Sequence, residues 1–283
     1  MSCLFVDHLT VIDCAYLDAA RGLVGESWIV DLELEGDLDD QSMVLDFSAV
    51  KKTIKATIDD SVDHRLLAPA AAAELQLTRD QDQLHLIFRS DIGAIEHVSP
   101  AVAVTLVDTT EIDAASVAAH LRPLLMQRLP ANVRRLRLTL RNEHIDGAYY
   151  HYVHGLKKHR GACQRIAHGH RSGIEIRVDG ERDSALERLI AGRWLDIYLG
   201  TREDIVARGN GRIRFAYRAE EGHFQLALPE THVDLLDTDS TVEEIAAHLV
   251  RQLAPLRPGR SITVRAYEGV MKGAIAQSPP PTA

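Results

Sequence analysis

Apolar and polar residues alternate with a period of two over many short stretches of this chain. Trp28, Val30, Leu32 and Leu34 share one parity, as do Leu136, Leu138 and Leu140, and Ile174, Ile176 and Val178. A period of two puts every second side chain on one face, so each stretch predicts an antiparallel strand with one buried side. Two stretches follow the helical period instead. Val50, Ile54, Ile58 and Val62 form a stripe that ends at Asp63 and His64, with Ser48 placed to cap it. Val242, Ile245, Leu249 and Leu253 form another, opened by Thr241 and Glu244 in the spacing of a capping box. Segment 66–77 reads most simply as a connection or short helix, and 208–212 as a turn; neither has the glycine and lysine spacing of a phosphate loop. The tail from 274, rich in proline, predicts disorder.

Comparison of the two halves shows the same pattern twice. Residues 24–36 (VGESWIVDLELEG) align without gaps on 168–180 (HGHRSGIEIRVDG), and 99–110 align on 228–239 with proline on proline. The tetrapeptide Ala-Ala-His-Leu recurs at 118–121 and 246–249. Matches that keep their order imply a diverged duplication, with units at 1–146 and 147–283 meeting near Asp146 and Gly147.

A length of 283 residues, 46% of them hydrophobic, suits two such units with real cores. The formal net charge of -9, with acids and bases interspersed, gives no support for a nucleic-acid partner. No apolar run is long enough for a membrane span and the first residues lack a secretory pattern, so a cytoplasmic protein is expected. Cys3, Cys14 and Cys163 are too few and too scattered for a disulfide framework.

Between 154 and 170 the chain reads HGLKKHRGACQRIAHGH. On a strand, His168 and His170 would project from one face about 7 Å apart along the backbone, close enough to share a zinc ion. His154, with His151 and His159 as competitors, could supply a third imidazole, and Cys163 a thiol beside it.

Segments 43–67 and 154–170, together with VRAYEG at 264–269, resemble the signature blocks of the 6-pyruvoyltetrahydropterin synthase and 6-carboxytetrahydropterin synthase family. The resemblance implies an α+β fold of two tandem tunnelling-fold units, each a four-stranded antiparallel sheet with helices on one face. It also implies hairpin and helical insertions at 66–98 and 181–225, and a homo-oligomeric barrel. It implies zinc (Zn2+) on His154, His168 and His170, and Cys163 as catalytic thiol with Asp63 and His64 as its proton-relay partners. A glutamate on the last strand would anchor the pterin. Glu268 stands first because it continues the parity of Ile262, Val264 and Ala266, and Glu143 second. Val24 and Glu26 stand where the first half would need zinc histidines, and the second half has no Asp-His pair after 194–205. Each unit therefore holds half a site, and the two halves are expected to meet across an interface. The implied activity is conversion of 7,8-dihydroneopterin triphosphate, a small-molecule pterin, to 6-carboxy-5,6,7,8-tetrahydropterin, as in queuosine and deazapurine synthesis. Three alternatives remain open: a 6-pyruvoyl product, a pterin aldolase or epimerase, and a non-catalytic pterin-binding protein with structural zinc. Lys157, Lys158, Arg160, Arg165 and Arg171 are available for phosphate.

Overall fold

The computed structural model describes residues 2–38 and 40–278, without the side chains of Phe47, Ala49 and Val50. Val50 of the anticipated helical stripe, and 279–283 of the anticipated disordered tail, therefore lie outside what is described. The first half of the chain runs β1 (Ser2–Asp18), β2 (Gly22–Gly36), α1 (Phe47–Asp59), β3 (Leu66–Pro69), β4 (Leu75–Asp80), β5 (Gln83–Ser90), β6 (Gly93–Pro100), β7 (Val104–Val107), α2 (Ala114–Met126) and β8 (Val133–Arg141). The second runs β9 (Tyr149–His154), β10 (His168–Val178), β11 (Glu181–Arg182), α3 (Ser184–Arg193), β12 (Ile197–Thr201), β13 (Ile205–Gly209), β14 (Arg212–Ala219), β15 (Gly222–Pro229), β16 (Val233–Leu236), α4 (Val242–Leu253), β17 (Ile262–Tyr267) and β18 (Gly273–Gln277). With β11 and β18 set aside, the second half repeats the element order of the first.

Each half builds its own sheet. The first has the order β7-β3-β1-β2-β8 and the second β16-β12-β9-β10-β17-β18, with β11 paired to β10. Antiparallel pairing covers β1, β2 and β8 in one and β9, β10, β17 and β18 in the other; the two remaining strands in each pair in parallel. Helices α1 and α2 cover the first sheet through Ile54, Ile58, Val117, Leu121 and Leu125, against Leu32, Leu34, Leu136 and Leu138. Leu186 and Ile190 of α3, with Ile245, Leu249 and Leu253 of α4, do the same against Ile174, Ile176 and Val264. These are apolar faces of period two met by apolar stripes of period near 3.6, which is why the packing repeats.

The inserted segments are shorter than the expected 66–98 and 181–225 and consist of strands, since β3, α3 and β12 belong to the layers of their own halves; these strands form the third layer. Strands β4, β5 and β6 of one half and β13, β14 and β15 of the other join edge to edge into a six-stranded sheet, through β6 and β15 at Val98↔Gln225 and His97↔Leu226. Beneath it a third core mixes both halves, with Leu66, Leu86, Phe88 and Ile95 packed among Val153, Ile166, Tyr198, Phe215 and Leu226. The halves also touch backbone to backbone where β2 crosses β10. A Cβ built on Gly169 would lie 2.6 Å from the Gly25 Cα, and one on Gly25 would lie 2.7 Å from the His170 nitrogen. Gly25 and Gly169 are the aligned central residues of Val24-Gly25-Glu26 and His168-Gly169-His170, so the crossing brings together equivalent positions of the two halves.

Three expectations are corrected. Segment 66–77 is neither a loop nor a helix: Leu66–Pro69 is a strand buried on both faces, and Leu75–Asp80 is another. The first helix is capped by Asp46, whose carboxylate accepts from the Ser48 N–H, and its last helical residue is Asp59. The tail is ordered through Gln277, because Ala274 and Ala276 pack on the core of the second half as part of β18.

Candidate active site

The three histidines converge. His154 closes β9 and His168 opens β10 directly opposite it, in register, and His170 follows on the same face. All three are buried to within 1% exposure, their ligand atoms lie within 4.8 Å of one another, and the Nε2 atoms of His154 and His170 are 3.3 Å apart. The outer ring nitrogens of His154 and His168 are hydrogen-bonded, and that of His170 is not. His154 Nδ1 donates to the Ser240 carbonyl (2.9 Å), His168 Nδ1 donates to the Arg165 carbonyl (2.9 Å), and His170 Nδ1 faces the Asp13 carboxylate at 3.2 Å. Burial, with the neighbouring imidazoles, holds His154 and His168 well below the usual histidine range, so both are neutral. In His154 and His168 the outward Nδ1–H leaves an Nε2 lone pair inward, and with the His170 ring beside them this is the donor set of a tri-histidine metal site. The residues present thus fit a zinc ion.

Beside this cluster sits a second. His64, Cys163 and His168 also hold their ligand atoms within 4.8 Å of one another, and the His64 ring lies 5.2 Å from that of His168. His64 comes from the first half. It occupies a turn at φ 52°, ahead of β3, and is fixed by three contacts: its N–H donates to the Asp13 carbonyl (2.6 Å), its Nδ1 to Asp63 Oδ2 (2.6 Å), and its carbonyl accepts from Arg165 (3.3 Å). Burial alone would lower its pKa; the hydrogen bonds to Asp63 and Cys163 outweigh it and push it up to about 10. Cys163 lies in a 3₁₀ turn, Ala162–Gln164, and is a half-buried free thiol. Asp63–His64 and Cys163, which belong to opposite halves, therefore meet within one chain.

The two glutamate candidates separate. Glu268 follows β17 and closes a turn in which its N–H donates to the Lys272 carbonyl (2.9 Å). Its charge acts on Tyr152, whose ring packs on those of His154 and His170 at 5.1 and 5.2 Å, and on Lys272. Glu143 lies in the β8–β9 connection, with Arg171 and His8 as charged neighbours, and lines a separate cleft of about 170 Å³ with Ile145, Arg182 and Tyr267. His151 is turned away to the Gly25 carbonyl (2.7 Å), and His159 is in an exposed loop.

Sequence reasoning missed Asp13, Ser27, Ser240 and Lys272, which surround the centre. One signal existed for Asp13: it is a lone acid in the apolar run 11–17. The sequence also gave no sign that Asp196 stands at the place of His64, ahead of its strand at φ 55°. At this second, related centre Tyr16, Val24 and Glu26 replace the three histidines. Arg21 fills it, with two bonds to Asp196 (2.8 and 2.6 Å) and one to the Tyr16 hydroxyl (3.1 Å). A guanidinium thus provides the positive charge there.

Residues 15–152 match the model of a family described as 6-pyruvoyl tetrahydropterin synthase. The matched residues, just under half of the chain, are similar to that family. The matched segment holds Asp63, His64 and Glu143 and ends before His154, Cys163, His168 and His170. No curated protein sequence matches the chain. Among solved structures, a catalytic-residue mutant of the Plasmodium vivax 6-pyruvoyltetrahydropterin synthase is 18% identical, covers 50% of this chain and 90% of its own, and superposes with a TM-score of 0.42. The Plasmodium falciparum 6-pyruvoyl tetrahydropterin synthase is 17% identical over 49% of this chain and 90% of its own, with a TM-score of 0.41. Among the described residues no helix is long and apolar enough to cross a membrane.

Proposed function

We propose that the chain is a zinc-dependent pterin lyase that converts 7,8-dihydroneopterin triphosphate to 6-carboxy-5,6,7,8-tetrahydropterin. The carrying observation is the meeting of three inward Nε2 atoms from one half with Cys163 and with the Asp63–His64 pair of the other. His154, His168 and His170 would hold zinc, which when bound supplies Lewis-acid polarisation of substrate oxygens. The remaining steps belong to the chain. The Glu268 carboxylate accepts hydrogen bonds from the 2-amino and ring N–H groups of the pterin and orients it. Asp63 fixes His64 Nδ1–H and stabilises its charged form, which leaves Nε2 to exchange a proton with Cys163. Cys163 Sγ removes a proton from a side-chain carbon, and His64 returns one to its neighbour. Loss of triphosphate with cleavage of the side chain, which takes up one water and releases the outer two carbons as a two-carbon aldehyde, gives the 6-carboxy product; elimination without cleavage gives the 6-pyruvoyl product.

One observation favours a related substrate without triphosphate. Lys157 pairs with Glu203 and Asp204, Lys158 with Asp239, and Arg165 with Glu221, so these cations are already neutralised by the chain's own acids. The open edges of β8 and β18 support pairing with further copies of the chain, as a barrel requires.

The test is incubation of the zinc-loaded protein with dihydroneopterin triphosphate and, separately, with dihydroneopterin, followed by mass analysis of the products. The reading expects the 6-carboxy product from the triphosphate alone, and a loss of at least about 100-fold in rate in Cys163→Ala and His64→Ala. Turnover of dihydroneopterin assigns the aldolase or epimerase activity instead. Equal behaviour of wild type and both variants leaves a non-catalytic pterin-binding protein.

A further inference from the structure

We propose that Asp13 is a positioning residue that locks the metal ligands and the acid–base pair into one frame, so that the first half of the chain helps to build a metal centre whose ligands all come from the second. This deepens the reading above and rests on His154, His168 and His170 holding a metal.

Asp13 lies on β1 and is 3% exposed, within a strand run that is otherwise apolar. A carboxylate buried there is costly unless several groups stabilise its charge. The contacts supply this and point in three directions at once. Oδ1 accepts from the Ser27 hydroxyl (2.5 Å) and faces His170 Nδ1 (3.2 Å), while Oδ2 faces Lys272 Nζ (3.4 Å). The main chain of the same residue holds the relay pair. Its N–H donates to Asp63 Oδ1 (2.9 Å) and its carbonyl accepts from the His64 N–H (2.6 Å).

The three ligands are not oriented alike. His154 and His168 give their Nδ1 protons to backbone carbonyls of their own half, whereas His170 has only the Asp13 carboxylate in front of Nδ1. His170 Nδ1 makes no hydrogen bond within the chain, so the Asp13 carboxylate acts on it at 3.2 Å by proximity and charge; a carboxylate in front of Nδ1 favours the Nδ1–H tautomer, which directs the inner lone pair at the metal and makes it more basic. The neighbouring backbone leaves room for this arrangement. Gly269, at φ 67°, has no Cβ, and one built there would collide with Asp13 Oδ1 and lie 3.0 Å from Ser27 Oγ. At the related position in the other half stands His151, which donates to a carbonyl, so the carboxylate serves one of the two centres alone.

The test compares wild type with Asp13→Asn and Ser27→Ala in the full chain. Zinc affinity is measured by competition with a chromophoric chelator, the tautomer of His170 by the nitrogen chemical shifts of its ring in the metal-free protein, and folding by thermal unfolding of the same sample. We expect Asp13→Asn to weaken zinc about 10- to 100-fold and to shift His170 from a single Nδ1–H tautomer to a mixture, while the metal-free protein still unfolds cooperatively. Ser27→Ala keeps the charge but frees the carboxylate, and should weaken zinc several-fold with the same change of tautomer. If Asp13→Asn fails to fold, Ser27→Ala and Lys272→Met carry the test. Wild type that binds no zinc overturns the metal centre itself. Tight zinc binding in wild type, with unchanged affinity and unchanged His170 tautomer in the variants that fold, overturns the role of Asp13 and leaves the metal centre standing.

Discussion

Glu26 shows how much a single position can reveal about the divergence of the two centres. It occupies the place of His170 in the other half, and burial pushes its carboxyl up to about 7, against relief from the Ser27 N–H, Arg171 and Asn142. A carboxyl raised in the folded state binds its proton more tightly there than in the unfolded chain, whose value is near 4.5. Its contribution to stability is therefore full below about pH 4.5 and is lost as the pH rises through about 7, a change of up to about 3 kcal/mol. Glu26→Gln keeps an oxygen to accept from Ser27 and Asn142, and removes the charge. Urea unfolding should show the variant more stable than wild type at pH 8, with the advantage gone at pH 4; equal stability at both values would remove the buried charge as a cost. The sequence singled out the histidines and Cys163 by their close spacing and Asp63–His64 through the family resemblance alone, and the fold brings these side chains together. Asp13 was not legible there, since its partners Ser27, His170 and Lys272 are brought to it only by folding. Arg165, read as available for phosphate, is instead turned to Glu221 and to the His64 carbonyl.

Among the elements, the crossing of β2 over β10 is the tightest constraint. A methyl group on Gly25 would collide with the Tyr152 carbonyl oxygen and could not be accommodated by rotating a side chain, because the obstacle is backbone. Gly25→Ala should cost about 3 kcal/mol or more and weaken zinc binding as β10 moves. The contrasting control is Gly192→Ala, on α3, where nothing lies within 4 Å of the new carbon. That variant should be more stable than wild type by about 0.5–1 kcal/mol, and chemical denaturation of both measures the contrast. Elements with one exposed face were readable. Helix α4 began at Thr241 as its stripe required, and the strands around Leu136 and Ile174 kept their parity. The misread element, β3, is buried on both sides, so its apolar run carries no period to distinguish strand from helix. Nothing in the sequence shows that the inserted hairpins would pair with each other, because strand partners across β6 and β15 are chosen by the docking of the halves.

For the whole molecule, the division expected at 146–147 carries a prediction. Residues 1–146 and 147–283, expressed together as separate chains, should reassemble through the shared six-stranded sheet and the third core. The 147–283 fragment alone has all three imidazoles but neither Asp13 nor His64, and should bind zinc at least about 10-fold more weakly than the mixture; equal affinity would show that the first half contributes nothing to the centre. The contact between Asp13 and Lys272 joins residues separated by 259 positions, nearly the full length of the chain. Contacts of that separation close late, because the entropy of the intervening chain must be lost first. During synthesis, therefore, the histidines and the thiol emerge well before Lys272 can complete their surroundings. Completion of the histidine cluster's surroundings then depends on the docking of residues far apart in the chain, and a chain truncated ahead of Lys272 would carry every proposed ligand yet lack that contact.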